Sequence, residues 1–82
     1  MNPADWQVYI LECADGSVYT GIARDLEARI VAHNNGTGAK YTRGRGPVKL
    51  LYQEAAVDRS TALRREALLK RLSRADKLHL TR

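Results

Sequence analysis

Five side chains of this sequence could cut a phosphodiester if the fold brought them together: Tyr9, Tyr19, Arg29, His33 and Glu66. A phenol can give or take a proton, and a guanidinium can neutralise charge growing on a phosphate. A lone carboxylate can hold a hard divalent ion. The tyrosines sit in two β-prone triads ten residues apart, Val8-Tyr9-Ile10 and Val18-Tyr19-Thr20, the second followed by Gly21. Arg29 and His33 are separated by four residues and so share one side of a helix. Each also has a purely structural reading. Tyr19 could pack across strands, Arg29 could lie along a helix surface, and His33 could sit at a helix C-terminus, where cations are favoured. Glu66 could pair with Lys70 one turn on, or with Arg59 or Arg65.

The elements that must position these groups can be read from the same sequence. Trp6 to Cys13 predicts a strand, Ala14-Asp15-Gly16 a turn, and Ser17 to Gly21 the returning strand of a hairpin. A two-residue Asp15-Gly16 turn would put Tyr9 and Tyr19 on opposite faces. A three-residue loop with Gly16 left-handed would pair Cys13 with Ser17 and place both tyrosines on one face. A shared site requires the second register. Residues 25–34 predict a helix with Asp25 as N-cap, Gly36 as its stop, and Leu26, Ile30 and Val31 as its buried stripe. Residues 34–47 contain four glycines and no periodicity, which predicts a loop with one short helical turn at 39–43. That loop is either a flexible connector or a mobile basic segment touching a phosphate backbone.

Val48 to Ala56 predicts a third strand. Asp58 or Ser60 caps a helix running to about Leu72, and Ser73 with Asp76 opens a second short helix. Glu66 follows Ala62 and Leu63 and precedes Leu69 at helical spacing, so it lies on or beside the stripe facing the core. A carboxylate there is costly unless paired or bound to a metal.

Composition bounds the alternatives. Eighty-two residues make one domain, 1–82, with a small core. The single cysteine, Cys13, excludes an internal disulfide, fits a reducing cytosol and reads as packing in an apolar strand. No run of 18 apolar residues or signal-peptide pattern is present, which predicts a cytoplasmic protein with no membrane partner. Cys13 and two distant histidines give no zinc spacing. Residues 1–39 carry two basic and five acidic side chains, whereas residues 40–82 carry twelve and four, so the net +5 belongs to the second half. Ten of the fourteen bases are arginines, suited to bidentate phosphate contact. Lys40, Tyr41, Arg43, Arg45, Arg65 and Lys70 are the candidates for binding nucleic acid, against the simpler reading of a solvated basic surface.

The ordered set Val8-Tyr9-Ile10, Val18-Tyr19-Thr20-Gly21, Arg29, His33 and Glu66 resembles the GIY-YIG nuclease superfamily over about residues 6–78. The runs Ala32-His33-Asn34, Gly38-Ala39-Lys40-Tyr41-Thr42-Arg43 and Pro47-Val48-Lys49-Leu50 resemble its small stand-alone bacterial members. Val8 replaces the first glycine of the signature, and Ile22 stands where some relatives place a lysine. The resemblance implies an α+β fold, a three-stranded antiparallel sheet flanked by helices in the order β-β-α-(short α)-β-α-α. It implies metal-dependent hydrolysis of nucleic acid, DNA ahead of RNA, with one Mg2+ or Mn2+ on Glu66. Tyr19 would then be base or orienter for the attacking water, Arg29 the charge stabiliser, Tyr9 a member of the hydrogen-bond network, and His33 a phosphate contact or proton relay. No attached second domain is expected, so a separate protein could supply specificity. The alternative is a non-catalytic nucleic-acid-binding module that keeps a vestigial site.

Overall fold

Trp6 to Glu12 is rich in β-branched, aromatic and aliphatic side chains, and it forms the central strand of the molecule. The computed structural model describes residues 6–80. Its elements run β1 (Trp6–Glu12), β2 (Val18–Ala23), α1 (Leu26–Asn34), β3 (Lys49–Ala56), α2 (Arg59–Lys70) and α3 (Arg74–His79). The three strands form one antiparallel sheet in the order β2-β1-β3. With three helices this is the α+β architecture the sequence predicts. The expected short helix between α1 and β3 is instead a single hydrogen-bonded turn, in which the Arg43 N–H reaches the Ala39 carbonyl at 3.2 Å.

The hairpin adopts the three-residue loop. The Cys13 N–H donates to the Ser17 carbonyl at 2.8 Å, the Gly16 N–H donates to the Cys13 carbonyl at 3.0 Å, and Gly16 has φ of +85°. A left-handed residue is needed there, and glycine takes that conformation without a Cβ clash. Asp15 braces the turn by accepting from both the N–H and the hydroxyl of Ser17, which holds its carboxyl down to about 2. The resulting register opposes Leu11 to Tyr19 and Tyr9 to Gly21, so both phenols emerge on one face.

Alternation along β1 divides the core into two layers. Val8 and Ile10 pack with Ala56, Ala62 and Leu69 beneath α2. Tyr9, Leu11 and Cys13 pack with Ala23 and Val48, beside Tyr19, Leu26 and Ile30, beneath α1. Cys13 is buried, as its strand position implies. Against β1, strand β3 carries one extra residue, Leu51, between the partners of Ile10 and Leu11. That bulge turns Leu51 and Tyr52 toward the same cluster although they are consecutive.

The helix ends follow the expected caps. Asp25, Asp58 and Ser73 each accept a backbone N–H three residues on, from Ala28, Thr61 and Asp76; such caps contribute about 1 kcal/mol each. Gly36, with φ of +79°, ends α1. One expectation for α1 fails: Val31 is 58% exposed, so of the three predicted stripe residues only Leu26 and Ile30 pack inward. A nine-residue helix lying across a three-stranded sheet touches it along a narrow line, and Val31 falls outside that line.

Candidate active site

Tyr9 is the hub of the site. It lies on the central strand, it is 1% exposed, and its hydroxyl meets Nε2 of His33 at 2.9 Å. Its ring crosses directly over Gly21 on the edge strand β2. A Cβ added at Gly21 would come within 2.6 Å of the Tyr9 Oη and 3.0 Å of the Tyr19 ring. Glycine is therefore required at this position by close approach, quite apart from any turn.

His33 comes from the last turn of α1 and is 1% exposed. Its other nitrogen, Nδ1, lies 2.7 Å from the Thr42 hydroxyl, which in turn donates to the Ala39 carbonyl at 3.1 Å. Both nitrogens of His33 are thus engaged within the protein, and the residue is 1% exposed. Burial, and then the charge of Arg29, push its pKa below the ordinary histidine range, so the ring is neutral. The Tyr9 phenol is pushed the other way, well above its usual value, chiefly by burial and then by Tyr19. Arg29 opposes that shift and Glu66 adds to it. The hydroxyl of Tyr9 is thus within electrostatic reach of three of the remaining candidates, Tyr19, Arg29 and Glu66.

The aromatic rings extend from this hub as a stack. Tyr19 lies 6.3 Å from Tyr9 and 5.2 Å from His33 between ring centroids. Tyr41 stacks on Tyr19 at 5.8 Å, and the Arg45 guanidinium lies 4.7 Å over the Tyr41 ring. Arg45 is itself held by Asp15 in the hairpin turn, while its carbonyl accepts the Ala14 N–H at 2.7 Å. Asn34 pins the far end by accepting the Val48 N–H at 2.7 Å. The segment between α1 and β3 is therefore neither a flexible connector nor a free basic loop. It is docked onto the hairpin and lays Tyr41 and Thr42 against the site. Within it, Lys40, Tyr41 and Arg43 remain exposed beside Tyr19.

Glu66 arrives from α2, which covers the opposite face of the sheet. Ala62 and Leu69 face the sheet as expected, whereas Leu63 is 37% exposed. The Glu66 side chain is 18% exposed and meets Lys70 at 3.4 Å. Its charge adds the smallest share to the upward push on the Tyr9 phenol, although its helix covers the other face of the sheet.

Among the described residues no three His, Cys, Asp or Glu side chains group to hold a metal. A zinc-type cage is therefore not formed by them. A single half-buried carboxylate fits an ion that keeps its waters and takes further oxygens from substrate phosphate. On β2, Thr20 is 2% exposed, and its hydroxyl is the one buried side-chain polar atom without a partner among the described residues.

One expected nucleic-acid contact already has a partner within the protein. Arg65 makes a bidentate pair with Glu54, with bonds of 2.6 and 2.8 Å, and Glu54 also accepts the Tyr52 hydroxyl. That network fastens α2 to β3 and leaves the guanidinium committed. Lys70 is exposed but engaged with Glu66. Sequence reasoning missed Thr42, Gly38 and the buried Lys77. A Cβ on Gly38 would fall 2.6 Å from Nδ1 of His33, so this glycine marks where the loop presses on the ring. No periodicity signals such a contact. Lys77 is 8% exposed, and burial lowers its pKa.

Comparison with known proteins agrees with this fold. The family described as the GIY-YIG catalytic domain matches residues 5–79. The UPF0213 protein SSP2268 of Staphylococcus saprophyticus is 56% identical over 73 residues, covering 89% of each chain. The UPF0213 protein CPE1444 of Clostridium perfringens is 59% identical over 73 residues, covering 89% of this chain and 78% of its own. The solution structure of the UPF0213 protein BH0048 from Bacillus halodurans superposes with a TM-score of 0.56 at 51% identity, covering 92% of this chain and 80% of that one. That of EF2693 from E. faecalis gives 0.60 at 43% identity, covering 89% and 78%. The relatives' names carry no activity, while the domain description implies nuclease-type chemistry on nucleic acid. A phenol on each hairpin strand, an arginine and a histidine on the next helix, and an acid on α2 within reach of the first phenol are carried here on a chain that belongs to the GIY-YIG family.

Proposed function

We propose that this protein is a divalent-metal-dependent phosphodiesterase of the cytoplasm that cleaves DNA internally, with Tyr9, Tyr19, Arg29, His33 and Glu66 as its working residues. The observation that supports it most is the hydrogen bond from a deeply buried phenol to a neutral imidazole, Tyr9 to His33 at 2.9 Å. On this reading Tyr9 is the base, and Tyr19, for which the resemblance implies base or orienter, is the orienter. Tyr9 takes a proton from the attacking water while passing its own to Nε2 of His33. The water oxygen forms its bond to phosphorus, the bond to the leaving oxygen breaks, and that oxygen is protonated from solvent. The phenol never has to stand as a free phenolate, which its raised pKa would make rare.

Tyr19, half-buried and flanking both Tyr9 and His33, orients the water. Arg29 is exposed at the edge of this cluster and neutralises charge on the phosphate. Mg2+ or Mn2+ bound through Glu66 would supply Lewis-acid stabilisation of the leaving oxygen. Lys40 and Arg43 on the docked loop contact the flanking backbone, and Tyr41 with Arg45 holds that loop against Tyr19. Lys70 releases Glu66 and turns to phosphate when substrate arrives.

The test is cleavage of branched, nicked and single-stranded DNA with Mg2+ or Mn2+, scored against chelator. Metal-dependent product on any of them supports the proposal. Salt-sensitive binding without product on all of them identifies a binding module instead, a reading that the Glu66–Lys70 pair itself favours. Two further outcomes are expected. Arg29→Ala should lower the rate about a hundredfold or more, read in single-turnover assays; a change under about twofold would make Arg29 a surface residue. The rate should also have an acid limb governed by His33. Its neutral form is the acceptor and its pKa is depressed, so activity should persist below the ordinary histidine range and fall only at lower pH. A limb at or above that range would remove His33 from the relay.

A further inference from the structure

Thr42 is fully buried in the docked segment, and its hydroxyl touches two groups, Nδ1 of His33 at 2.7 Å and the carbonyl of Ala39 at 3.1 Å. A hydroxyl has one hydrogen. The Thr42 hydroxyl donates to the Ala39 carbonyl, so its oxygen offers a lone pair to Nδ1. Nδ1 must then carry the imidazole hydrogen, and Nε2 is left bare to accept from Tyr9. The opposite tautomer would point Nε2–H at the Tyr9 oxygen. The Tyr9 hydrogen would then lose its one acceptor among the described residues and could turn only to the entering water, which the relay needs as a donor. The free imidazole side chain prefers its hydrogen on Nε2, so the protein must impose the other choice. Gly38 closes the position: its backbone sits where even a Cβ would fall 2.6 Å from Nδ1, so the loop meets the ring directly.

We propose that Thr42 is a positioning residue that fixes His33 in its Nδ1–H tautomer and thereby makes Nε2 the acceptor for the Tyr9 proton. The catalytic consequence rests on the nuclease reading above; the tautomer itself does not. Through Thr42 the segment between α1 and β3 sets the direction of proton flow. Thr42 acts only through His33 and touches no substrate.

The experiment measures the side-chain nitrogens of 15N-histidine-labelled full-length protein by NMR, above the pH at which His33 titrates. Wild type, Thr42→Ser and Thr42→Val are compared, alongside single-turnover cleavage of DNA with Mn2+. Wild type and Thr42→Ser should show a protonated Nδ1 and a bare Nε2. Thr42→Val should shift the hydrogen to Nε2 and lower the cleavage rate about a hundredfold, since a wrongly held tautomer disables a base relay, while DNA affinity is unchanged. A wild-type spectrum with the hydrogen on Nε2 overturns the proposal, as does a Thr42→Val protein that keeps Nδ1–H or cleaves within twofold of wild type. If Thr42→Val does not fold, the wild-type and Thr42→Ser spectra still decide the tautomer. A wild type that cleaves no DNA would remove the nuclease reading and leave the spectroscopic result intact.

Discussion

Glu66→Gln should leave DNA bound and uncut. The substitution conserves volume and an acceptor for Lys70 while removing the negative charge that a divalent ion needs. Among the described residues no cluster of other acids or histidines could take over. Loss of metal-assisted charge stabilisation is worth several kcal/mol, so the rate should fall by about three orders of magnitude or more. Binding should hold or tighten slightly, because one negative charge is removed from a chain of net charge +5. Gel-based cleavage and fluorescence anisotropy on the same DNA separate the two effects. A Glu66→Gln protein that cuts as wild type does would remove this carboxylate from the reaction and return it to its ion pair with Lys70.

Tyr9→Phe is the second large effect, and it discriminates between the two phenols. Only an oxygen is lost; the ring that fills the space over Gly21 remains. Proton transfer by a positioned base contributes about 10²–10⁴-fold, and that is the expected loss of rate. The deletion also strands Nε2 of the buried His33, which should cost about 1–3 kcal/mol of stability and appear as a lower Tm. Tyr19→Phe should lose far less, since the Tyr19 hydroxyl makes no hydrogen bond recorded among the described residues. If Tyr19→Phe is the more damaging variant, the base is Tyr19 and the Tyr9–His33 bond is scaffolding.

What could be read from the sequence was whatever local chemistry dictates. The hairpin register followed from Gly16 and the need to put Tyr9 beside Tyr19, and Cys13 does pair with Ser17. Asp25, Asp58 and Ser73 announced three helix starts because a short polar side chain before a helical pattern has little else to do. The sheet-facing placement of Glu66 followed from Ala62 and Leu69 one turn either side. The docked loop was illegible, since its order comes from contacts far apart in sequence: Arg45 with Asp15, Thr42 with His33, Tyr41 on Tyr19. Glycine-rich composition reads as freedom, yet Gly38 is there because a ring leaves no room for a side chain. The Arg65–Glu54 pair was illegible for a related reason. A charge counted toward a basic half says nothing about a glutamate eleven residues away on another element.

The alternation of β1 gives the two sides of the sheet different freedoms. Beneath α1, the packed interior includes Tyr9, Tyr19, His33 and Thr42, which on the proposed reading also carry or position the proton relay and so cannot be exchanged for better-fitting aliphatics without loss of activity. Beneath α2, Val8, Ile10, Ala56, Ala62 and Leu69 have no such second duty. Efforts to harden this protein against heat should therefore redesign the α2 layer alone, and natural drift in hydrophobic side-chain size should concentrate there.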